Sequence, residues 1–232
     1  IGAAMGITGT EVAKEASDMV LLDDNFATIV SAVEEGRTIY SNIRKSIEFL
    51  LSCNTGEIIT IFTAILFGLG SPLTPIQILW MNLVTDGFPA LALGLEPAEK
   101  GVMKKPPRNP KEGVFAGGVG RDIVIQGTYI GLISLASYWM ALNWGRTIEE
   151  AHTMAFLTMS YSQLVHAFNV RSFEESLFAI GITTNKALVA AFIASALLQV
   201  AVIFIPFLRE LFETALLRSS DWLVVIALSL ST

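Results

Sequence analysis

Five apolar stretches, each close to twenty residues, recur along the chain at about 47–69, 76–95, 119–142, 151–169 and 187–208. A helix that crosses a bilayer needs about 20 predominantly apolar residues, so each stretch predicts a membrane span. A sixth apolar run opens at Trp222 and reaches Thr232 after eleven residues. That is too short to span, and a span truncated at its C-terminus is expected there. A single run of this kind reads equally well as a buried core helix, but five in series do not.

Residues 1–38 follow another pattern. Residues 1–7 are small and apolar, fit for a buried strand, and Thr8 with Glu11 has capping-box spacing for a short helix reaching about Ala16. Residues 19–22 predict a second strand, and Asp24 is placed to cap the helix that follows. In that helix Phe26, Ile29, Val30 and Val33 share one face. Strand–helix–strand–helix is the tail of an α/β domain, too small to hold a core alone. Because Ile1 opens in mid-strand, the chain is expected to be cut at its start. Beyond Gly36 the helical pattern continues through Ile39, Tyr40, Ile43 and Ile47, so one long helix is expected to join the two regions as a lever would. The predicted fold is therefore mainly α: a polytopic membrane helix bundle of five full spans and the start of a sixth, occupying residues 39–232, after an α/β tail at 1–38.

Composition agrees with a membrane protein. Hydrophobic residues make up 53% and charged residues 16%, against about 25% charged in soluble chains, and mean hydropathy is +0.59. A net charge of −6 without a basic stripe excludes a nucleic-acid binder. One cysteine, Cys53, excludes a disulfide framework and a Cys-based metal site. Basic residues set the orientation. Arg37, Arg44, Lys45, Lys100, Lys104, Lys105, Arg108, Lys111, Arg121, Arg171 and Lys186 flank one side of the spans, against Arg146, Arg209 and Arg218 on the other. The N-terminal piece and the 100–111 loop are expected to be cytoplasmic, and the 68–75 and 143–150 turns external. Pro106, Pro107 and Pro110 forbid a helix in the 100–111 loop. Gly127 and Gly131 form a GxxxG spacing that admits a close helix neighbour.

Charges inside the spans are few. Glu57 sits midway along the first and Asp86 midway along the second, and an intramembrane carboxylate is costly enough to mark a functional site. Both lie about equally far from the turn at Ser71 and Pro72, hence at one depth. Asn54 shares a helix face with Glu57; Asn82 and Thr85 accompany Asp86. Gly87 and Pro89 after the acid invite local unwinding that frees backbone carbonyls. Amide, hydroxyl and carboxylate oxygens without sulfur or imidazole suit Ca²⁺ and disfavour Zn²⁺ and Cu⁺. Two carboxylates balance one divalent cation, and Gln163 in the fourth span adds an oxygen but no charge. Glu48 reads as a surface or entry-path charge within reach of Arg44 and Lys45. His152 and His166 read as interfacial polar residues, and Cys53 as packing.

The run Cys53-Asn54-Thr55-Gly56-Glu57, the run Asn82-Leu83-Val84-Thr85-Asp86-Gly87-Phe88-Pro89 and the Pro106-Pro107-Arg108 loop resemble the C-terminal part of a P-type calcium-transporting ATPase. Residues 5–18 are similar to the end of that family's phosphorylation domain. The resemblance covers essentially the whole chain and looks most like bacterial members of the reticulum type. It implies that the spans are the family's fifth to ninth helices with the start of the tenth, and that Asn54, Glu57, Asn82, Thr85 and Asp86 coordinate transported Ca²⁺. Gln163 occupies a position where reticulum-type pumps carry glutamate and plasma-membrane-type pumps glutamine.

The resemblance also implies ATP and Mg²⁺ as requirements of a full-length protein, bound outside these residues. The Asp-Lys-Thr-Gly-Thr phosphorylation motif does not occur in this sequence, so these residues alone are expected neither to hydrolyse ATP nor to pump. Implied partners are the lipid bilayer, the missing N-terminal half of the same polypeptide, and H⁺ carried back against Ca²⁺. A multi-pass protein of a bacterial cell membrane is expected. The alternative is a passive cation channel or secondary carrier with the same carboxylates. An α/β tail favours the pump, because a passive carrier has no use for part of a phosphotransfer domain.

Overall fold

The computed structural model describes residues 1–109, 111–173 and 175–232; Pro110, one of the three prolines assigned to the helix-free loop, lies outside them. The chain divides into two compact units, Ile1–Ser41 with Pro97–Arg108, and Asn42–Glu96 with Asn109–Thr232.

The first unit begins with β1 (Ala3–Met5), α1 (Glu11–Glu15) and β2 (Met19–Leu21). The strands pair in parallel, Ala4 opposite Val20, so the expected strand–helix–strand order is present with shorter strands. Two caps differ from expectation. Thr10, not Thr8, caps α1, its hydroxyl accepting from the Ala13 amide at 3.2 Å. Thr8 instead donates its hydroxyl to Asp24 at 2.6 Å, and the Ile7 amide donates to the same carboxylate at 2.8 Å. Those bonds, the hydroxyl first, hold Asp24 below the ordinary carboxylate range. Asp24 thus ties the loop after β1 in a left-handed backbone turn (φ 50°), and the Asn25 side chain caps the next helix through the Ala27 amide at 3.0 Å. That helix, α2 (Ala27–Leu66), runs unbroken for 40 residues. Its predicted apolar face is not covered here: Phe26, Val30 and Val33 are exposed. The Arg37 guanidinium donates to the Val102 and Lys105 carbonyls at 2.8 and 2.7 Å, and Arg108 stacks over the Tyr40 ring at 4.3 Å. Basic side chains counted only as an orientation signal therefore also fasten their own loop.

In the second unit α2 is followed by α3 (Pro75–Trp80), a π-turn (Met81–Thr85) and α4 (Gly87–Leu93). Then come α5 (Val119–Asn143), α6 (Ile148–Asn169), α7 (Leu177–Ile180), α8 (Lys186–Phe204), α9 (Pro206–Leu211) and α10 (Ser219–Ser229). Among the described residues four helical stretches are long and apolar enough to cross a membrane: Ala27–Leu66, Pro75–Leu93, Ala116–Asn143 and Lys186–Phe204. The expected fifth, at 151–169, is helical and long enough but less apolar, because α6 carries Thr153, Thr158, Ser160, Ser162, Gln163 and His166, all buried. Its environment is protein on nearly every side, so it can hold polar groups that a lipid-facing helix cannot. The core of the unit gathers on it, with Met154, Phe156, Leu157 and Met159 packed against Ile130 and Val202.

The glycine pair acts as its spacing predicts. A Cβ on Gly127 would lie 2.6 Å from Thr55 Cβ, and one on Gly131 2.8 Å from the Gly56 carbonyl. α5 therefore touches α2 backbone to backbone, and the Thr60 hydroxyl bridges to the Gly131 carbonyl at 3.0 Å. Gly131→Ala in a full-length protein is expected to cost about 1–3 kcal/mol through overpacking, read as a lower midpoint of thermal denaturation in detergent. An unchanged midpoint would show that the two helices can separate freely.

Buried ion pairs brace the unit. Arg171, with no exposed side-chain surface, grips Glu96 at 2.6 Å. It also donates to the Gly181 carbonyl at 2.8 Å and the Thr184 hydroxyl at 2.5 Å. Asn185, the cap of α8, adds a bond to Glu96 at 2.7 Å. Arg146 meets the fully buried Asp221 at 2.7 Å, joining the start of α10 to the α5–α6 connection.

Candidate cation site

Asp86 follows a local widening of its helix. Its amide donates to the Met81 carbonyl at 2.8 Å, five residues back rather than four. One additional residue in a helical turn rotates everything after it by about 100°, so the π-turn decides where Asp86 points. The expected unwinding after the acid is absent. Gly87 and Pro89 fall in the first turn of α4, where proline is tolerated. The irregularity lies before Asp86 instead, and Pro89 leaves the Thr85 carbonyl without its α-helical donor.

The structure brings most of the expected residues together. Asn82 Nδ2 donates to Glu57 Oε2 at 3.1 Å, linking α2 to the π-turn across 25 residues of sequence. Asp86 is fully buried and both its carboxylate oxygens lack a hydrogen-bond partner; Glu57 Oε1 is in the same position. Each carboxylate lies within electrostatic reach of the other. Gln163, buried on α6, stands close to Glu57 without completing a hydrogen bond, and both its amide atoms are unpartnered. Thr85 is buried as the last residue of the π-turn, while Asn82 is exposed. Asn54 is half-buried and donates its amide to the Leu50 carbonyl on its own helix at 2.9 Å. No bond joins it to the others.

An unpartnered buried polar atom costs about 1–3 kcal/mol, more when charged. Several meeting at one place form a centre that a cation or protons can satisfy. The expected ligands offer oxygen donors. Among the described residues no group of three His, Cys, Asp or Glu side chains is placed to hold a metal. Hard, oxygen-loving cations fit.

Two residues are more buried than expected. Glu48 is buried rather than at the surface, with Oε2 unpartnered and Arg44 and Asp122 nearby. His166 is buried too, stacked on Phe49 at a centroid distance of 6.1 Å with both ring nitrogens unpartnered. His152 is half-buried against Tyr138 at 5.9 Å. Distance from a span's end says nothing about which face a residue takes in the bundle. Cys53, taken as packing, also faces Asp86. Ser195 and Gln199 escaped notice altogether, although polar residues four apart in the otherwise apolar α8 were a readable signal.

Residues 70–232 match the family described as cation transporting ATPase, C-terminus. Over 99% of its length the chain is 51% identical to calcium-transporting ATPase 1 of Bacillus cereus and 49% identical to a calcium-transporting ATPase of Bacillus subtilis. It is 38% identical, again over 99% of its length, to an endoplasmic reticulum calcium ATPase of Aspergillus fumigatus. The match spans 28%, 26% and 27% of those three proteins, about a quarter of each.

Proposed function

Because the chain belongs to the P-type cation-transporting ATPases, we propose that it forms the ion-translocating membrane domain of an ATP-driven calcium pump and carries half of its intramembrane Ca²⁺ site. The observation that carries this reading is the fully buried Asp86 carboxylate, unpartnered on both oxygens and next to Glu57, which is unpartnered on one. Asp86 and Glu57 supply the charge that balances one Ca²⁺; Asn54, Thr85 and Gln163 supply neutral oxygens. Asn82 turns its N–H to Glu57 in this structure, and a half-turn of the amide presents its oxygen to the ion instead. When calcium leaves, two like charges at one depth take up protons, which accounts for H⁺ moving the other way.

The rest of the architecture follows from this proposal. α6 is a fifth span in the middle of the bundle, and α10 the beginning of a sixth. Residues 1–38 are the tail of the phosphorylation domain, whose remaining part covers the exposed face of Phe26, Val30 and Val33, and residues 39–232 are the transport domain. The 100–111 loop is cytoplasmic and the membrane is that of a bacterial cell. ATP and Mg²⁺ act on parts of the full-length protein outside these residues. Phosphorylation there shifts the populations of two states that differ in ion affinity.

The test is phosphoenzyme formation. A full-length protein in membrane vesicles, given labelled ATP, should incorporate acid-stable phosphate only when calcium is present. Phosphorylation indifferent to calcium, or calcium flux that needs no ATP, would overturn the reading; the second result would point to a passive channel or carrier.

A further inference from the structure

α8 is the most apolar of the four long helices, yet it buries two polar side chains on one face, Ser195 and Gln199. Gln199 Oε1 accepts the Trp80 indole N–H at 2.8 Å, and its Nε2 donates to the Ser160 hydroxyl at 2.5 Å. One turn away the Ser195 hydroxyl donates to the Val84 carbonyl at 3.4 Å. Trp80 and Val84 bracket the π-turn, Trp80 just before it and Val84 within it. The two helices therefore meet as antiparallel rungs, 199 with 80 and 195 with 84, across the one irregular turn in the neighbourhood of Asp86. Ser160 lies three residues before Gln163, on the same face of α6. Gln199 thus links the helix that carries Asp86 to the helix that carries Gln163.

A π-turn is less favourable than the α-helix around it and persists where other contacts hold it. Absorbing its additional residue would turn Asp86 by about 100° away from Glu57. We infer that Gln199 and Ser195 are positioning residues that hold the π-turn and so set the direction of Asp86 and its register against Gln163, without touching the ion. This inference rests on the cation-site reading above. Partners that orient a ligand from behind are typically worth about 10–100-fold in metal affinity.

The experiment is equilibrium ⁴⁵Ca²⁺ binding to a purified full-length protein, reading the dissociation constant and the number of sites separately. Gln199→Leu keeps the volume and removes both bonds; its dissociation constant should rise about tenfold while the number of sites per folded molecule holds. Trp80→Phe removes a single N–H and serves as the milder variant if Gln199→Leu folds poorly. It should shift the constant in the same direction, and the double variant should go no further than Gln199→Leu alone, because both act through one bond. A constant unchanged in both single variants, even with fewer sites, assigns the bonds to stability only and overturns the inference. Shifts that simply add in the double variant overturn it as well. If the unsubstituted protein shows no saturable calcium binding, the cation-site reading falls and takes this inference with it. A normal constant there, unchanged in the variants, sinks the positioning role alone.

Discussion

Asp86→Asn should abolish calcium-activated phosphorylation in a full-length protein, and Glu57→Gln should only weaken it, with partial rescue at higher calcium. The asymmetry comes from surroundings. Asp86 has no exposed surface and no hydrogen bond to either oxygen, so it depends wholly on what binds there. Glu57 already takes the Asn82 amide on one oxygen, and a glutamine in its place retains an acceptor for that bond. Removing one partner of a buried charge pair costs about 3–5 kcal/mol, which is roughly a hundred- to several-thousand-fold in affinity. Phosphoenzyme measured across a calcium range separates the two variants. An Asp86→Asn protein that phosphorylates like the unsubstituted one at low calcium would sink the site assignment. Gln163→Glu adds charge without removing a main ligand and belongs in the same series as a modest change.

The largest effect on stability is expected at Arg171→Ala. That guanidinium is enclosed and fixed by Glu96, the Gly181 carbonyl and the Thr184 hydroxyl, and removing it leaves the Glu96 carboxylate buried with Asn185 as its remaining partner. The cost should be about 3–5 kcal/mol, seen as a lower denaturation midpoint and less protein surviving detergent extraction. The paired replacement Arg171→Met with Glu96→Leu should recover much of the loss, because no charge is then stranded. A midpoint for Arg171→Ala equal to that of the unsubstituted protein would show the pair to be solvated after all.

The residues proposed for the cation site stood out in the sequence because each is an anomaly in an apolar run. Glu57 and Asp86 lie at equal distances from a turn, and antiparallel helices then bring them level. The Gly127–Gly131 contact was legible for a related reason: small residues four apart have a single geometric meaning. The π-turn was not. Nothing in Met81, Asn82, Leu83, Val84 and Thr85 favours five residues per bond over four, and its supports come from α8, more than a hundred residues later. Arg171 was counted as an orientation signal and proves to be a buried clamp, since charge counting ignores which face a residue takes. The burial of Glu48 and His166 was missed for the same reason. At the N-terminus Thr8 and Thr10 both suit a cap, and only the position of Asp24 decides between them.

The polar lining of α6 has a consequence for how the chain enters the bilayer. Ile148–Asn169 holds buried hydroxyls, an amide and an imidazole, groups that resist partitioning from the translocon into lipid one helix at a time. Some of those hydroxyls are answered within the bundle: Thr158 donates to the Ser137 hydroxyl on α5 at 2.9 Å, and the Ser160 hydroxyl accepts from Gln199 Nε2 on α8 at 2.5 Å. The connection from α5 to α6 is only residues 144–147, and Thr147 starts the second helix at once with a capping box. As the fifth span proposed above, α6 would be suited to enter as the second arm of a hairpin, drawn in by a more hydrophobic partner already in place. Synthesis order supplies that partner first, so the least lipophilic helix of the bundle never has to face the hydrocarbon alone.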